Sequence, residues 1–170
     1  MNYASLFPGF SNDAQCWVHV TDRPLTPDEQ QALRQSVQRF MERWETHGRT
    51  VRSAFEVRDG RFLLLAATVD EGTISGCGID ASAHALGDLA QQIGFGWAPA
   101  LHVLYRDANG AVQSCPRPAF RAKVENGTVT AETPVFDPGV TTVGDLRDGS
   151  FERPAGSSWH RRAFNLPEAA

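Results

Sequence analysis

Cysteine is scarce in this chain: Cys16, Cys77 and Cys115 are the only three in 170 residues. Their odd number and wide spacing exclude a disulfide framework and predict free thiols in a reducing compartment. Lysine is scarcer still, because Lys123 stands alone and Ala122 precedes it. The pattern G-x-x-x-x-G-K-[ST] therefore cannot occur, which excludes a nucleotide hydrolase of P-loop type. No apolar run approaches the ~20 residues that span a bilayer. Residues Met1 to Phe10 also lack the basic start and apolar stretch of a signal peptide, so a cytoplasmic protein without a membrane partner is expected. Positive charge is not concentrated either. The net charge is −4, and Arg52, Arg58, Arg61, Arg106, Arg117 and Arg121 are scattered among acids. A nucleic-acid partner needs a basic stripe and is not expected.

What is present is ordinary globular material. Apolar residues make up 41% and charged residues 21%, enough for one core in a chain of this length. Cys16 to Val20 has strand composition and ends at Thr21-Asp22-Arg23-Pro24. Thr26-Pro27-Asp28-Glu29 carries a helix start: a threonine cap, a proline suited to the first position, and a glutamate that reaches back. Leu33, Val37, Phe40, Met41 and Trp44 follow at helical spacing, and Gly48 reads as the stop, with His47 near the helix dipole. Val51 to Arg58 alternates, Asp59-Gly60 offers a tight hairpin turn, and Phe62 to Val69 is apolar on both faces. After a loop from Glu71 to Gly78, Asp80 reads as the cap of a second helix with Leu86, Leu89, Ala90 and Ile93 on one stripe. Leu101 to Arg106 is a fourth strand, and Ala111 to Ser114 a short fifth. Ala119 to Glu125 is a short helix, and Thr128 to Phe136 is extended.

The order β-α-β-β-α-β predicts an α+β fold of ferredoxin-like (split βαβ) type, with two helices on one face of an antiparallel sheet. Residues 1–107 form this core, and 108–170 form a C-terminal elaboration packed on it within one structural domain. The two-sided apolar strand needs cover on its second face. Either the C-terminal third or a second subunit supplies it, the latter making a homodimer.

One segment has pointed chemistry. Ser75-Gly76-Cys77-Gly78-Ile79-Asp80-Ala81-Ser82-Ala83-His84 joins a buried strand to a helix start through glycines. Free amides at Gly76, Gly78 and Ser82 suit an anionic small molecule. Cys77 in that field is a candidate nucleophile, with His84 as base and Asp80 as orienter. The bland alternatives are a core cysteine and an aspartate cap. Trp159 and His160, with Arg161 and Arg162, read as an anion-binding tail or as an apolar anchor for the chain end. His47 is a further accessory candidate. His19 and His102 lie on first and fourth strands that would be neighbours, but two histidines fall short of a metal site, so no metal and no cofactor is expected. The leading reading is a ligand-binding or protein-interaction module, and the rival is a cysteine-dependent enzyme.

Trp17, Trp44-x-x-His47-Gly48, Ser53-x-Phe55-Glu56, the Ser75–His84 segment, Thr133-x-Val135-Phe136 and Ser158-Trp159-His160 together resemble an uncharacterised bacterial family commonly labelled "ABC transporter ATPase". That label implies ATP hydrolysis, which the missing P-loop contradicts. His19 and His102 depart from the family's pattern. Separately, Pro118 to Phe136 is similar to the helix-then-strand segment of GYF-type domains, which implies a peptide-interaction element.

Overall fold

The computed structural model describes residues 3–70 and 72–169; Glu71, where the expected loop begins, lies outside them. The elements in chain order are β1 (Gln15–Val20), α1 (Pro27–Met41), β2 (Glu45–Thr46), β3 (Arg49–Thr50), β4 (Arg52–Arg58), β5 (Phe62–Thr68), α2 (Gly76–Ile93), β6 (His102–Arg106), β7 (Val112–Pro116), α3 (Arg117–Glu125), β8 (Pro134–Phe136), α4 (Val143–Arg147), β9 (Glu152–Pro154) and α5 (His160–Phe164). They form a mixed α+β fold with two main antiparallel sheets, ordered β1-β5-β4 and β7-β6-β8-β9, and a small β2-β3 hairpin.

The first sheet follows from its sequence. Asp59 and Gly60 both take positive φ (52° and 61°), the turn that lets β4 pair with β5 from Arg52↔Thr68 to Arg58↔Phe62. β5 is buried along almost its whole length because both faces are covered. Leu63 and Leu65 pack with Leu33, Val37, Met41, Leu86 and Ala90, so α1 and α2 share one face. Phe62, Leu64 and Ala66 turn the other way, onto Leu104 and Phe136 of the second sheet, Val143 and Leu146 of α4, and the N-terminal Tyr3, Leu6, Phe7 and Phe10. Phe62 lies 4.7 Å from Phe136 and 5.2 Å from Phe151, ring to ring. The chain itself therefore supplies the cover for which a second subunit was one expectation.

The fourth strand is where the arrangement departs from the ferredoxin-like expectation. His102–Arg106 does form a strand, but it pairs with β7 and β8, across the expected 107/108 boundary, and not with β1. Two helix boundaries also move. The capping box at Thr26 and Glu29 is present as expected. However, α1 ends at Met41, and His47 and Gly48 (φ 49° and 71°) make the exposed β2-β3 turn rather than a helix stop. Trp44 sits beyond the helix because its indole N–H donates to the Gly78 carbonyl (2.9 Å) and its ring packs on Trp17 and Phe40. Likewise α2 begins at Gly76, capped by Ser75, whose hydroxyl accepts from Gly78 N–H; Asp80 is thus an interior helical residue and not the cap.

Arg61 ties the two sheets together. Its side chain is buried (4% exposed) and donates to the carbonyls of Thr21 and Asp22 (2.9 Å each) and of Val112 in β7 (3.1 Å). A second tie runs from Tyr3 through Glu152 and Arg106 to Asp59, linking the N-terminal segment, the second sheet and the β4-β5 turn.

Candidate functional site

The expected site on α2 is laid out as follows. Cys77 is exposed on the first turn. Gly78 N–H is taken by Ser75 Oγ (3.2 Å) and Ile79 N–H by the Ser75 carbonyl (3.0 Å). Ser82 is buried and its hydroxyl donates to the Ile79 carbonyl (2.6 Å), so it faces no ligand. Gly76 is exposed, and Gly78 is buried against Thr46 and Ile74. Asp80 and His84 do meet, but through the main chain: His84 Nδ1 donates to the Asp80 carbonyl (2.8 Å) rather than to its carboxylate. Because α2 starts early, Cys77 and His84 stand seven residues apart on one helix, about 10 Å of axial rise. Direct proton transfer between them is out of reach.

Trp159 and His160 form a small stack at the chain's end, with ring centroids 3.7 Å apart. Ser158 spends its single hydroxyl proton on the Ala155 carbonyl (2.9 Å), so His160 Nδ1 is the donor to Ser158 Oγ (2.9 Å). Nε2 is then a bare acceptor, fully buried and without a partner among the described residues. Burial, with a smaller contribution from the Arg117 cation, holds the His160 pKa down to about 4. The ring is neutral at physiological pH. Trp159 is 44% exposed, so it anchors the chain end only in part.

A more complete site lies where the fourth strand was expected, along the outer edge of β1. Two short bridges pin that edge. At one end Val143 N–H donates to the Ala14 carbonyl and Cys16 N–H to the Thr141 carbonyl (2.9 Å each). At the other, Asp22 N–H donates to the Gly96 carbonyl (2.8 Å) and Ala98 N–H to the Val20 carbonyl (2.7 Å). These bonds fix the parity of the strand: even-numbered residues turn their main-chain groups away from β5. Between the bridges, the Cys16 carbonyl, both main-chain groups of Val18 and the Val20 N–H face outward with no partner among the described residues. That is one short length of unpaired ladder, two donors and two acceptors long.

The reason the ladder opens is written in the flanking segments. Each leaves β1 at a proline, Pro99 after Ala98 and Pro138 before Gly139, and a proline has no N–H to continue the pairing. Gly139 N–H is turned aside to Asp137 Oδ1 (3.0 Å). The result is a groove: a cavity of about 350 Å³ lined by Val18, His19, Trp97, His102, Leu104 and Pro138, adjoining another of about 320 Å³ that runs from Gln15 to His19 and from Pro138 to Thr141.

The groove is apolar with a few polar points. His19 packs against Trp97 (ring centroids 5.4 Å apart, planes tilted by 53°), and burial pushes its pKa down to about 4, so it is neutral. His102 Nδ1 is bonded to Ser114 Oγ (3.0 Å), which fixes its ring. Thus the two histidines noted in the sequence do line one cavity, although their strands do not pair. Among the described residues, no three His, Cys, Asp or Glu side chains are grouped to hold a metal. Cys16, on the same strand, has its thiol pKa raised to about 12, first by burial and then by nearby Asp145. Leu101, between the lining residues Ala100 and His102, is 75% exposed. Trp97, Pro99 and Pro138 gave no sequence signal as site residues; the two prolines, read as points where pairing must stop, were the available clue.

No family model, curated protein or solved structure matches this chain. No helix among the described residues is long and apolar enough to cross a membrane.

Proposed function

We propose that this protein is a binding module of the reducing cytoplasm whose β1 edge takes up an extended segment of a partner polypeptide. β1-β5-β4 with α1 and α2 on one face has the order of a ferredoxin-like unit without its fourth strand, and the partner's strand takes that place. The observation that carries this reading is the unpaired stretch from the Cys16 carbonyl to the Val20 N–H, set in a walled apolar groove. An extended peptide answers those groups with main-chain bonds, and the groove gives its alternate side chains somewhere to go. Leu101, exposed in the segment between the lining residues Ala100 and His102, supports a protein partner, since a large apolar side chain left in water there is an unused contact.

The test is selection from a displayed random-peptide library, followed by binding of the selected peptide to wild type and to Val18→Pro. Val18 N–H points away from β5, so proline removes a donor from the groove without breaking the sheet. Binding weakened at least tenfold with a near-native melting temperature is the expected result. Selected peptides that bind Val18→Pro equally well, or a library that yields none, would refute it.

A second reading keeps one observation in its favour: the Cys77 thiol is exposed on the first turn of α2. It makes Cys77 a nucleophile or redox-sensitive residue acting without His84. Thiol labelling across pH decides it, because a Cys77 that reacts like an ordinary free thiol has no activation to use.

A further inference from the structure

A second surface, far in sequence from β1, breaks the usual rules of charge placement. α3 has no side-chain cap and no acidic residue in its first turn, and its first residue is Arg117. A cation there opposes the helix dipole. One turn on stands a second cation, Arg121, and like charges at this spacing destabilise a helix. Neither guanidinium has a carboxylate partner among the described residues. This is a local cost that folding alone does not ask for.

Both arginines are nevertheless held in place. Arg117 lies over Trp159 (5.4 Å) and Phe164 (6.0 Å), and Arg121 lies over Phe164 (5.5 Å) while donating to the Ala163 carbonyl (3.0 Å). Stacking on an aromatic face leaves a guanidinium's in-plane N–H edge for an oxyanion. Between α3 and α5 runs a cavity of about 520 Å³ with Phe164 in its wall and Glu125 also lining it. Trp159 adds an exposed aromatic surface beside Arg117.

We propose that the α3/α5 surface docks an acidic peptide segment of a partner protein, with carboxylates paired to Arg117 and Arg121 and an apolar side chain against Trp159. The uncompensated pair of cations, in a chain of net charge −4, supplies the complementarity. A nucleic acid fits less well: two arginines neutralise few phosphates, and Glu125 in the same groove repels a continuous anionic backbone. The site is independent of the β1 groove, and Val18→Pro leaves it intact.

The experiment uses the full chain and Trp159 fluorescence. A synthetic peptide alternating glutamate and leucine is titrated against wild type, the double variant Arg117→Gln/Arg121→Gln, and Trp159→Phe. A peptide with every glutamate replaced by glutamine and a single-stranded RNA oligonucleotide complete the set. Expected are saturable binding of the acidic peptide that weakens with salt, at least tenfold weaker binding to the double variant, and loss of the fluorescence change in Trp159→Phe. The double variant keeps a near-native melting temperature, because the repulsion it removes offsets the lost stacking and the lost Arg121 bond to the Ala163 carbonyl. Equal binding of the glutamine peptide, equal binding to the double variant, or binding of RNA in place of the peptide would each overturn the proposal. An unfolded double variant would overturn it too, since the arginines would then be structural.

Discussion

The three-stranded sheet has two outer edges, and they are treated in opposite ways. β4 carries Arg52, Glu56 and Arg58, with Arg52 laid over Phe10, Arg58 over Tyr3, and Arg58 ion-paired to Glu56. Charges along an edge are the usual defence against pairing with another chain. β1, by contrast, carries no Asp, Glu, Lys or Arg from Ala14 to Thr21, and its one titratable ring on the groove, His19, is kept neutral by burial. An edge left without charge, yet walled by Trp97 on one side and Pro138 on the other, is protected from indiscriminate pairing by shape. The difference is what the proposed peptide site requires: an edge bounded by shape where the other is guarded by charge.

The largest effect is expected from the residue that holds one end of the groove in position. Arg61 satisfies the carbonyls of Thr21 and Asp22 at the end of β1 and of Val112 in the second sheet. Arg61→Leu leaves these buried acceptors unpaired, at about 1–3 kcal/mol for each that water cannot reach. Urea unfolding should record a loss of about 3 kcal/mol or more, and the selected β1 peptide should bind poorly to what remains folded. A loss below about 1 kcal/mol would mean the sheets hold their spacing without it.

Next in size is the contrast between neighbouring amides. Trp17 and His19 N–H groups face β5 and are locked in the ladder, whereas Val18 and Val20 N–H groups face the groove. Hydrogen exchange should be faster at Val18 and Val20 by on the order of a hundredfold, the gap between an open edge and a strand that must unfold to exchange. Bound peptide should erase it. Equal protection in the free protein would show that the edge is already closed.

Much of this fold was legible in the residues, for identifiable reasons. The Thr26/Glu29 capping box, the Asp59-Gly60 turn and the two-sided apolar β5 are local signals, each with one physical solution, and each appears as read. The pairing of His102–Arg106 was not legible, because which strand it joins is decided by Phe62, Phe136 and Phe151 packing together between the sheets. α4 was missed although Thr142 and Asp145 make a capping box, since its five residues are too short for periodicity to register. The start of α2 was misjudged because glycines at 76 and 78 read as loop. In fact Ser75 caps there, and Thr46 Oγ1 accepts from Ser75 N–H, a contact from a distant hairpin. The candidate groove is a gap between elements, and no single stretch of sequence encodes it.

Acid should act on the same comparison. His19 and His160 are held neutral with pKa values of about 4, well below the ordinary 6.5, first of all by burial. A depressed histidine pKa means that the unfolded chain binds the proton more readily. Its contribution is therefore complete above about pH 6.5 and is lost as pH falls toward 4. Each ring is worth on the order of 3 kcal/mol over that window. His160→Phe should flatten the fall in melting temperature below pH 6, and His19→Phe should do so while also reducing the pH dependence of peptide binding, to which His102 in the same lining still contributes. A melting temperature flat from pH 7 to 4.5 in the wild type would mean that neither ring is as enclosed as its surroundings indicate.

The smallest effect on the single molecule tests the defended edge directly. Arg52→Val, Glu56→Val and Arg58→Val together strip β4 of its charges while keeping residues suited to a strand. The Arg58–Glu56 pair is partly exposed and contributes little, while the stacking of Arg52 and Arg58 and the Arg52 bond to the Gly9 carbonyl are lost, so stability should fall by about 1–2 kcal/mol. Association is where the change should appear. Light scattering should show the triple variant forming dimers or larger species while wild type does not, because only the variant presents an uncharged edge with no walls beside it. If the stripped β4 stays as solitary as the wild type, charge was not what kept that edge apart. The openness of β1 would then lose its meaning as a site, and the groove would be a packing gap bounded by two prolines.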